Sequence, residues 1–142
     1  MIGRIDHIGI AVADLASALD FYDGALGLPA SEIEEVPDQG VRLAVLPVGE
    51  SRLELLQSTA PDGPVGRFIE KRGEGVHHIC FEVDDIDAAL AALRDAGVRL
   101  IDEQPRIGAG GRRIAFLHPR SSHGVLIELS ERPPAAHGEA SG

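Results

Sequence analysis

Apolar and polar side chains alternate through residues 5–12, with Ile8, Ile10 and Val12 on one parity, the period-two pattern of a half-buried strand. The period then changes. Asp14 has the character of a helix N-cap, and Leu15, Ala18, Leu19, Tyr22 and Leu26 recur at helical spacing until Gly27 stops the run. The same succession returns further on: a strand over 76–83, then a helix opened by Asp85, carried by Ile86, Ala89, Leu90 and Leu93, and ended by Gly97. Extended segments follow each helix, at 29–36, 41–48 and 52–58 in the first half and at 98–103, 112–117 and 124–130 in the second. Each half reads as β-α-β-β-β. The expected fold class is therefore α+β, two tandem βαβββ modules forming a curved mixed sheet around a cleft, because neither half can bury both sheet faces alone.

The modules span about 1–60 and 75–131 of a single domain covering 1–131. The connector 61–74 holds the breaker Pro61-Asp62-Gly63-Pro64, a short amphipathic piece with Val65, Phe68 and Ile69, and Gly73-Glu74-Gly75. Residues 132–142 have no periodicity and are expected to be a disordered tail.

The two halves share more than a pattern. Shifting Asp6-His7-Ile8-Gly9-Ile10-Ala11-Val12 by 71 positions lays His7 on His78, Ile8 on Ile79, Ile10 on Phe81 and Val12 on Val83. Each half also has a glutamate inside an apolar run, Leu53-Glu54-Leu55 and Ile127-Glu128-Leu129, offset by 74 positions. Successive strand side chains point to opposite faces. Ile8, Ile10 and Val12 then pack on the helix, and His7, Gly9 and Ala11 face the cleft. Parity sets His78, Cys80 and Glu82 on the open face and leaves His77 with Ile79, Phe81 and Val83 on the packed one. Glu54 and Glu128 face the cleft, while Gln57 and the run Val125, Ile127, Leu129 face away. Two imidazoles and two carboxylates on one surface have the composition of a divalent-metal site, with His7, Glu54, His78 and Glu128 as ligands. That set suits Co²⁺, Mn²⁺, Ni²⁺, Zn²⁺ or Fe²⁺ without choosing among them.

Composition narrows the remaining classes. A net charge of −10 with no basic stripe, four Phe, one Tyr and no Trp disfavours nucleic-acid binding. No apolar run approaches the roughly 18 residues of a membrane span, and the opening Met1-Ile2-Gly3-Arg4-Ile5-Asp6 does not read as a secretory signal. The single cysteine, Cys80, excludes an internal disulfide and fits a reducing, cytoplasmic setting as a small wall residue. Asp84-Asp85 reads as helix capping, and Gly108-Ala109-Gly110-Gly111 as a hairpin turn beside Arg112 and Arg113, which are placed to meet a substrate anion.

The opening Asp6-His7-Ile8-Gly9-Ile10-Ala11-Val12 resembles that of the vicinal oxygen chelate superfamily, the glyoxalase and bleomycin-resistance proteins built from paired βαβββ modules. Further pieces resemble the methylmalonyl-CoA epimerase branch: Gln39-Gly40-Val41, Gly73-Glu74-Gly75-Val76-His77-His78-Ile79, Phe116-Leu117-His118-Pro119 and Gly124-Val125-Leu126-Ile127-Glu128-Leu129. Together they cover roughly residues 5–131.

The resemblance implies an epimerase acting on C2 of an acyl-CoA, one divalent ion per site on His7, Glu54, His78 and Glu128, and a homodimer. It implies Glu128 and Glu54 as proton carriers and Gly110, Gly111, Arg112 and His118 as substrate contacts. One departure stands out: Leu43 occupies the position where some such epimerases carry a second glutamate base, so water or His118 is the other candidate carrier. A glyoxalase-type isomerase, an extradiol-type dioxygenase and a non-catalytic binding protein are the competing readings.

Overall fold

A computed structural model describes residues 1–134; the rest of the expected tail, 135–142, lies outside the described residues. Eight strands form one mixed sheet: β1 (Ile2–Ala11), β2 (Glu32–Val36), β3 (Val41–Val48), β4 (Ser51–Ser58), β5 (Gly75–Val83), β6 (Arg106–Ile107), β7 (Arg113–Leu117) and β8 (Ile127–Glu131). Their order is β2-β3-β4-β1-β5-β8-β7-β6. Each half is the mirror of the other in this order, and β1 meets β5 antiparallel at the centre. Within the halves β1 pairs with β4, and β5 with β8, in parallel.

Three α-helices lie among the described residues: α1 (Leu15–Leu19), α2 (Pro64–Arg72) and α3 (Ile86–Asp95). Asp14 caps α1 by accepting from Ser17 N at 3.1 Å, and Asp85 caps α3 by accepting from Ala88 N at 3.1 Å. α1 is shorter than its apolar spacing predicts. It passes into a π-helical turn over Asp20–Ala25, in which Leu26 N donates to Phe21 O, five residues back.

The sheet separates two kinds of apolar packing. On one face α1 lies on Val12, Ala44, Leu46 and Leu55, and α3 lies on Val83, Ala115 and Leu129. On the other face of the first half Val65, Phe68 and Ile69 of α2 cover Val41, Leu43, Val45 and Leu56. Burying a side chain such as Leu43 or Leu55 contributes about 1.5–3 kcal/mol. The connector is thus part of the cleft wall, where its amphipathic spacing had shown only a short apolar piece.

Three expectations change. The segment 98–103 is no regular strand: it holds one bridge, Leu100 to Leu117, and pairing resumes only at β6. Asp102 Oδ2 accepts from Phe116 N at 2.8 Å in place of a ladder carbonyl, and Pro105 has no N–H to offer. Val125 is exposed, because β8 begins two residues after it. Arg132, at the start of the expected tail, is tied down by its N–H to Val83 O at 2.7 Å.

Candidate metal centre and active site

β1 and β5 bring the two histidines together at the central seam, and β4 and β8 bring a glutamate to each flank. His7 Nε2 lies 3.0 Å from His78 Nε2, 3.1 Å from Glu128 Oε1 and 3.3 Å from Glu54 Oε1, and His78 Nε2 lies 2.9 Å from Glu128 Oε1. All four residues are buried, each about 5 % exposed or less. The structure therefore gathers the four residues that repeat and parity single out.

Their spacing fits a metal ion. Ligands on an octahedral ion with bonds of ~2.1 Å are separated by about 3.0 Å along each edge, close to the distances above. The space enclosed by these side chains with Asp6, Arg52 and Arg112 is about 20 Å³, room for a single water-sized particle. The orientation of each ring is consistent with ligation. Asp6 Oδ2 accepts from His7 Nδ1 at 2.7 Å, which puts the ring proton on Nδ1 and turns the Nε2 lone pair into the cluster. His78 Nδ1 lies 2.9 Å from His77 Nδ1, so a proton donated from His78 to His77 frees the other Nε2 in the same way. Two ring nitrogens and two carboxylates facing one point suit a cation between them, and in the metal-free protein a proton on His7 takes that place.

Charge follows from the same contacts. Burial works against ionisation of Asp6, but its hydrogen bond with His7 and the Arg52 and Arg112 guanidiniums outweigh it and hold the carboxyl below its usual range. Arg52 Nη2 lies 2.6 Å from Asp6 Oδ2, and Arg112 Nη1 lies 2.8 Å from Oδ1. Burial also opposes charge on His7, yet Asp6, Cys80, Glu128 and Glu54 together raise it well above 6.5 in the metal-free protein. Glu128, though buried, is drawn down to about 2 by hydrogen bonds with His7 and His78, while burial pushes Glu54 up. Burial and the neighbouring His78 lower His77 to about 4, leaving it neutral. Burial pushes the Cys80 thiol up to about 12, in keeping with a wall residue.

Two residues depart from simple alternation. β-Bulges shift the β1–β5 register between Ile5 and His7 and between Gly9 and Ile10. The first brings Asp6 inward beside His7. The second inserts His77 opposite no β1 partner, so His77 turns from the packed face into the cavities beside His78. Asp6 was missed as a site residue for this reason; the signal that could have found it is the Asp-His pair itself, a carboxylate next to a ligand imidazole. Parity had placed Glu82, which joins Arg4 and Arg112 near Asp6, on the open face without giving it a role, and Arg52 carried no signal.

The expected substrate contacts do not converge on the cluster as a group. Arg112 turns toward Asp6 and so acts on the His7 partner. Gly110 and Gly111 take left-handed φ values of 69° and 75° in the turn before β7, and Gly110 N donates to Glu34 Oε2 at 3.1 Å. His118 follows β7, with its Nδ1 accepting from Arg120 N at 3.1 Å. Leu43 is buried in the apolar cluster under α2, so that position offers no proton carrier. Beside His78 an apolar cavity of about 140 Å³ opens between Val41, Leu56, Val65, Phe116 and Leu126, with Gln39 and Arg106 at its polar points.

This paired-module sheet around a buried two-His, two-Glu cluster is the architecture of a metal-dependent superfamily. The model of the glyoxalase/bleomycin resistance protein/dioxygenase superfamily matches residues 6–116. The chain is 40% identical over 133 residues to the ethylmalonyl-CoA/methylmalonyl-CoA epimerase of Cereibacter sphaeroides, covering 92% of this chain and 99% of that one. It is 40% identical over 131 residues to the mitochondrial methylmalonyl-CoA epimerase of Homo sapiens, covering 92% and 74%. A crystallised Streptomyces coelicolor methylmalonyl-CoA epimerase variant in complex with 2-nitronate-propionyl-CoA superposes with a TM-score of 0.89 at 46% identity, covering 94% and 100%. The chain belongs to the methylmalonyl-CoA epimerase family of that superfamily.

Proposed function

We propose that the chain interconverts (2R)- and (2S)-methylmalonyl-CoA by removing the C2 proton and returning it to the opposite face through an enolate. The observation that carries this reading is the convergence of His7, Glu54, His78 and Glu128 beside an apolar cavity in a chain of this family. The costly species is the enolate, whose charge collects on the thioester oxygen. A divalent ion supplies Lewis-acid stabilisation of that charge.

The chain's own residues do the rest. His7 and His78, with Glu54 and Glu128, hold the ion, and Asp6 and His77 fix the two imidazoles. Val41, Leu56, Val65, Phe116 and Leu126 exclude water from the reacting carbon. Glu128 takes the C2 proton as a carboxylate and becomes the neutral acid. Glu54, reaching the cluster from the other half of the sheet, delivers a proton to the opposite face, and the reverse reaction exchanges their roles. His118, tied to the backbone at Arg120, is the less suitable second carrier. The reading includes a cytoplasmic homodimer, supported by family expectation; sedimentation at the 15.0 kDa mass of one chain would remove the dimer.

The test is incubation of the metal-loaded protein with either methylmalonyl-CoA epimer in D₂O. Deuterium should enter C2 and the epimers equilibrate, both should stop with chelator, and both should return with Co²⁺ or Mn²⁺. No exchange at C2, or turnover of a methylglyoxal hemithioacetal instead, would overturn the epimerase assignment.

A further inference from the structure

The sheet is open in its ladder but not in its contacts. β2 lies at one end of the strand order and the β6–β7 pair at the other, and no strand pairing joins those ends among the described residues. A side chain joins them instead. Glu34 of β2 reaches across, and its Oε2 accepts at 3.1 Å from Gly110 N, in the turn between β6 and β7. Glu32 and Glu35 on the same edge strand are exposed, whereas Glu34 is half-buried. Its register partner is Leu43, which packs in the apolar cluster under α2, so Glu34 shares the cleft side of the sheet.

The turn that Glu34 holds covers the cluster. Gly108 N donates to Arg112 O at 2.8 Å and Gly111 N to Gly108 O at 3.1 Å, so residues 108–112 form a closed unit that can swing without breaking these bonds. At its base Arg112 is anchored to Asp6 at 2.8 Å. At its tip Ala109 packs on the apolar cluster of the first half. Ala109 and Arg112 line the space enclosed by His7, Glu54, His78 and Glu128, and no residue of the turn lines the apolar cavity beside it. The turn therefore closes over the ion's position rather than over the acyl group's.

An ion has two ways in. Through the apolar cavity it would shed its water among Val41, Leu56, Val65 and Phe116, which offer no oxygen in exchange. Past the turn it would meet carboxylates and imidazoles at once. The tip of the turn is held by the Glu34 hydrogen bond and the Ala109 methyl, contacts slight enough for frequent local opening. We propose that the turn 108–112 is the gate through which the cluster takes up and releases its ion, and that Glu34 is the latch that keeps it shut. This rests on the reading of His7, Glu54, His78 and Glu128 as metal ligands and is independent of the substrate.

The experiment follows Co²⁺ uptake by the metal-free protein, and Co²⁺ release into excess chelator, by stopped flow for wild type, Glu34→Ala and Glu34→Gln. Both rate constants should rise about 3- to 10-fold in Glu34→Ala, the loss of one partly exposed hydrogen bond, with Kd within about twofold of wild type. Glu34→Gln, whose amide oxygen can still accept from Gly110 N, should lie between the two. Removing a carboxylate would by charge alone slow the approach of a cation, so faster uptake reports the opening of the turn. Hydrogen exchange at the Gly110 amide should quicken in Glu34→Ala as well. Uptake by Glu34→Ala no faster than by wild type overturns the gate and leaves the metal centre standing. Wild-type protein that takes up no Co²⁺ ends the metal reading, and the gate with it.

Discussion

Gly9 sits directly against the ring of His78: a Cβ at position 9 would lie 2.6 Å from Nδ1 and 2.8 Å from Nε2. The two residues are register partners across the β1–β5 seam. The missing side chain is what lets the second imidazole reach the first.

Gly9→Ala should therefore displace the His78 ring and weaken metal binding by about 10- to 100-fold, the range found when ligand orientation is lost. The fold should survive, since the ring has freedom to turn away. Metal titration by calorimetry, with circular dichroism as the fold control, checks this. Unaltered affinity would mean that the ring tolerates the methyl.

Asp6 orients His7 and balances Arg52 and Arg112, with its side chain fully buried. Asp6→Asn should lower metal affinity by about 10- to 100-fold through the imidazole it orients, and removing the buried charge should destabilise the protein by about 3–5 kcal/mol. The ¹⁵N shifts of His7 report the tautomer directly. A His7 that still holds its proton on Nδ1 in the variant would show that Asp6 has only a structural role.

Glu128→Gln should reduce C2 deuterium exchange by about 10²- to 10⁴-fold, the usual contribution of a positioned acid–base group, while the amide oxygen keeps much of the metal bound. Glu54→Gln should leave proton removal from one epimer and impair return to the other face. Exchange rates measured separately for the two epimers distinguish the carriers. Equal rates from wild type and Glu128→Gln would exclude Glu128 as the base.

Metal binding should be pH-dependent in a definite direction. Burial opposes the charge on His7, but Asp6, Cys80, Glu128 and Glu54 raise it well above 6.5 in the metal-free protein. An ion must then displace that proton, so affinity should climb with pH, about tenfold per unit, until the raised value is passed. Stability moves the opposite way in the metal-free protein. The contribution of charged His7 is complete below 6.5 and is lost as pH rises through the folded-state value. Glu128, held down at about 2, contributes above 4.5 and loses its contribution as pH falls through about 2. Calorimetry in buffers of different ionisation enthalpy should detect proton release, and a flat pH profile of affinity would contradict the coupling.

The helix caps Asp14 and Asp85 were legible because capping is local, decided within three residues. The four cluster residues were legible because strand alternation and the internal repeat agree on them. Alternation misled at His77 and hid Asp6, for one physical reason. A bulge inserts a residue into a strand, and its position depends on the partner strand rather than on nearby sequence. The segment 98–103 looked extended but keeps only the Leu100–Leu117 bridge, because Asp102 interrupts its ladder with a side-chain acceptor that apolar patterning does not register. α2 was visible as an amphipathic piece. Its apolar face against Leu43 could be read only once the sheet had closed beneath it.

The central seam has a consequence for the life of the chain. His7 and Glu128 stand 121 residues apart in sequence and 3.1 Å apart in space. During synthesis the amino-terminal half leaves the ribosome with only His7 and Glu54 of the cluster. The set of four is complete only once the last strand has been translated and zipped into place, so if the cluster takes an ion, only finished molecules offer it every ligand.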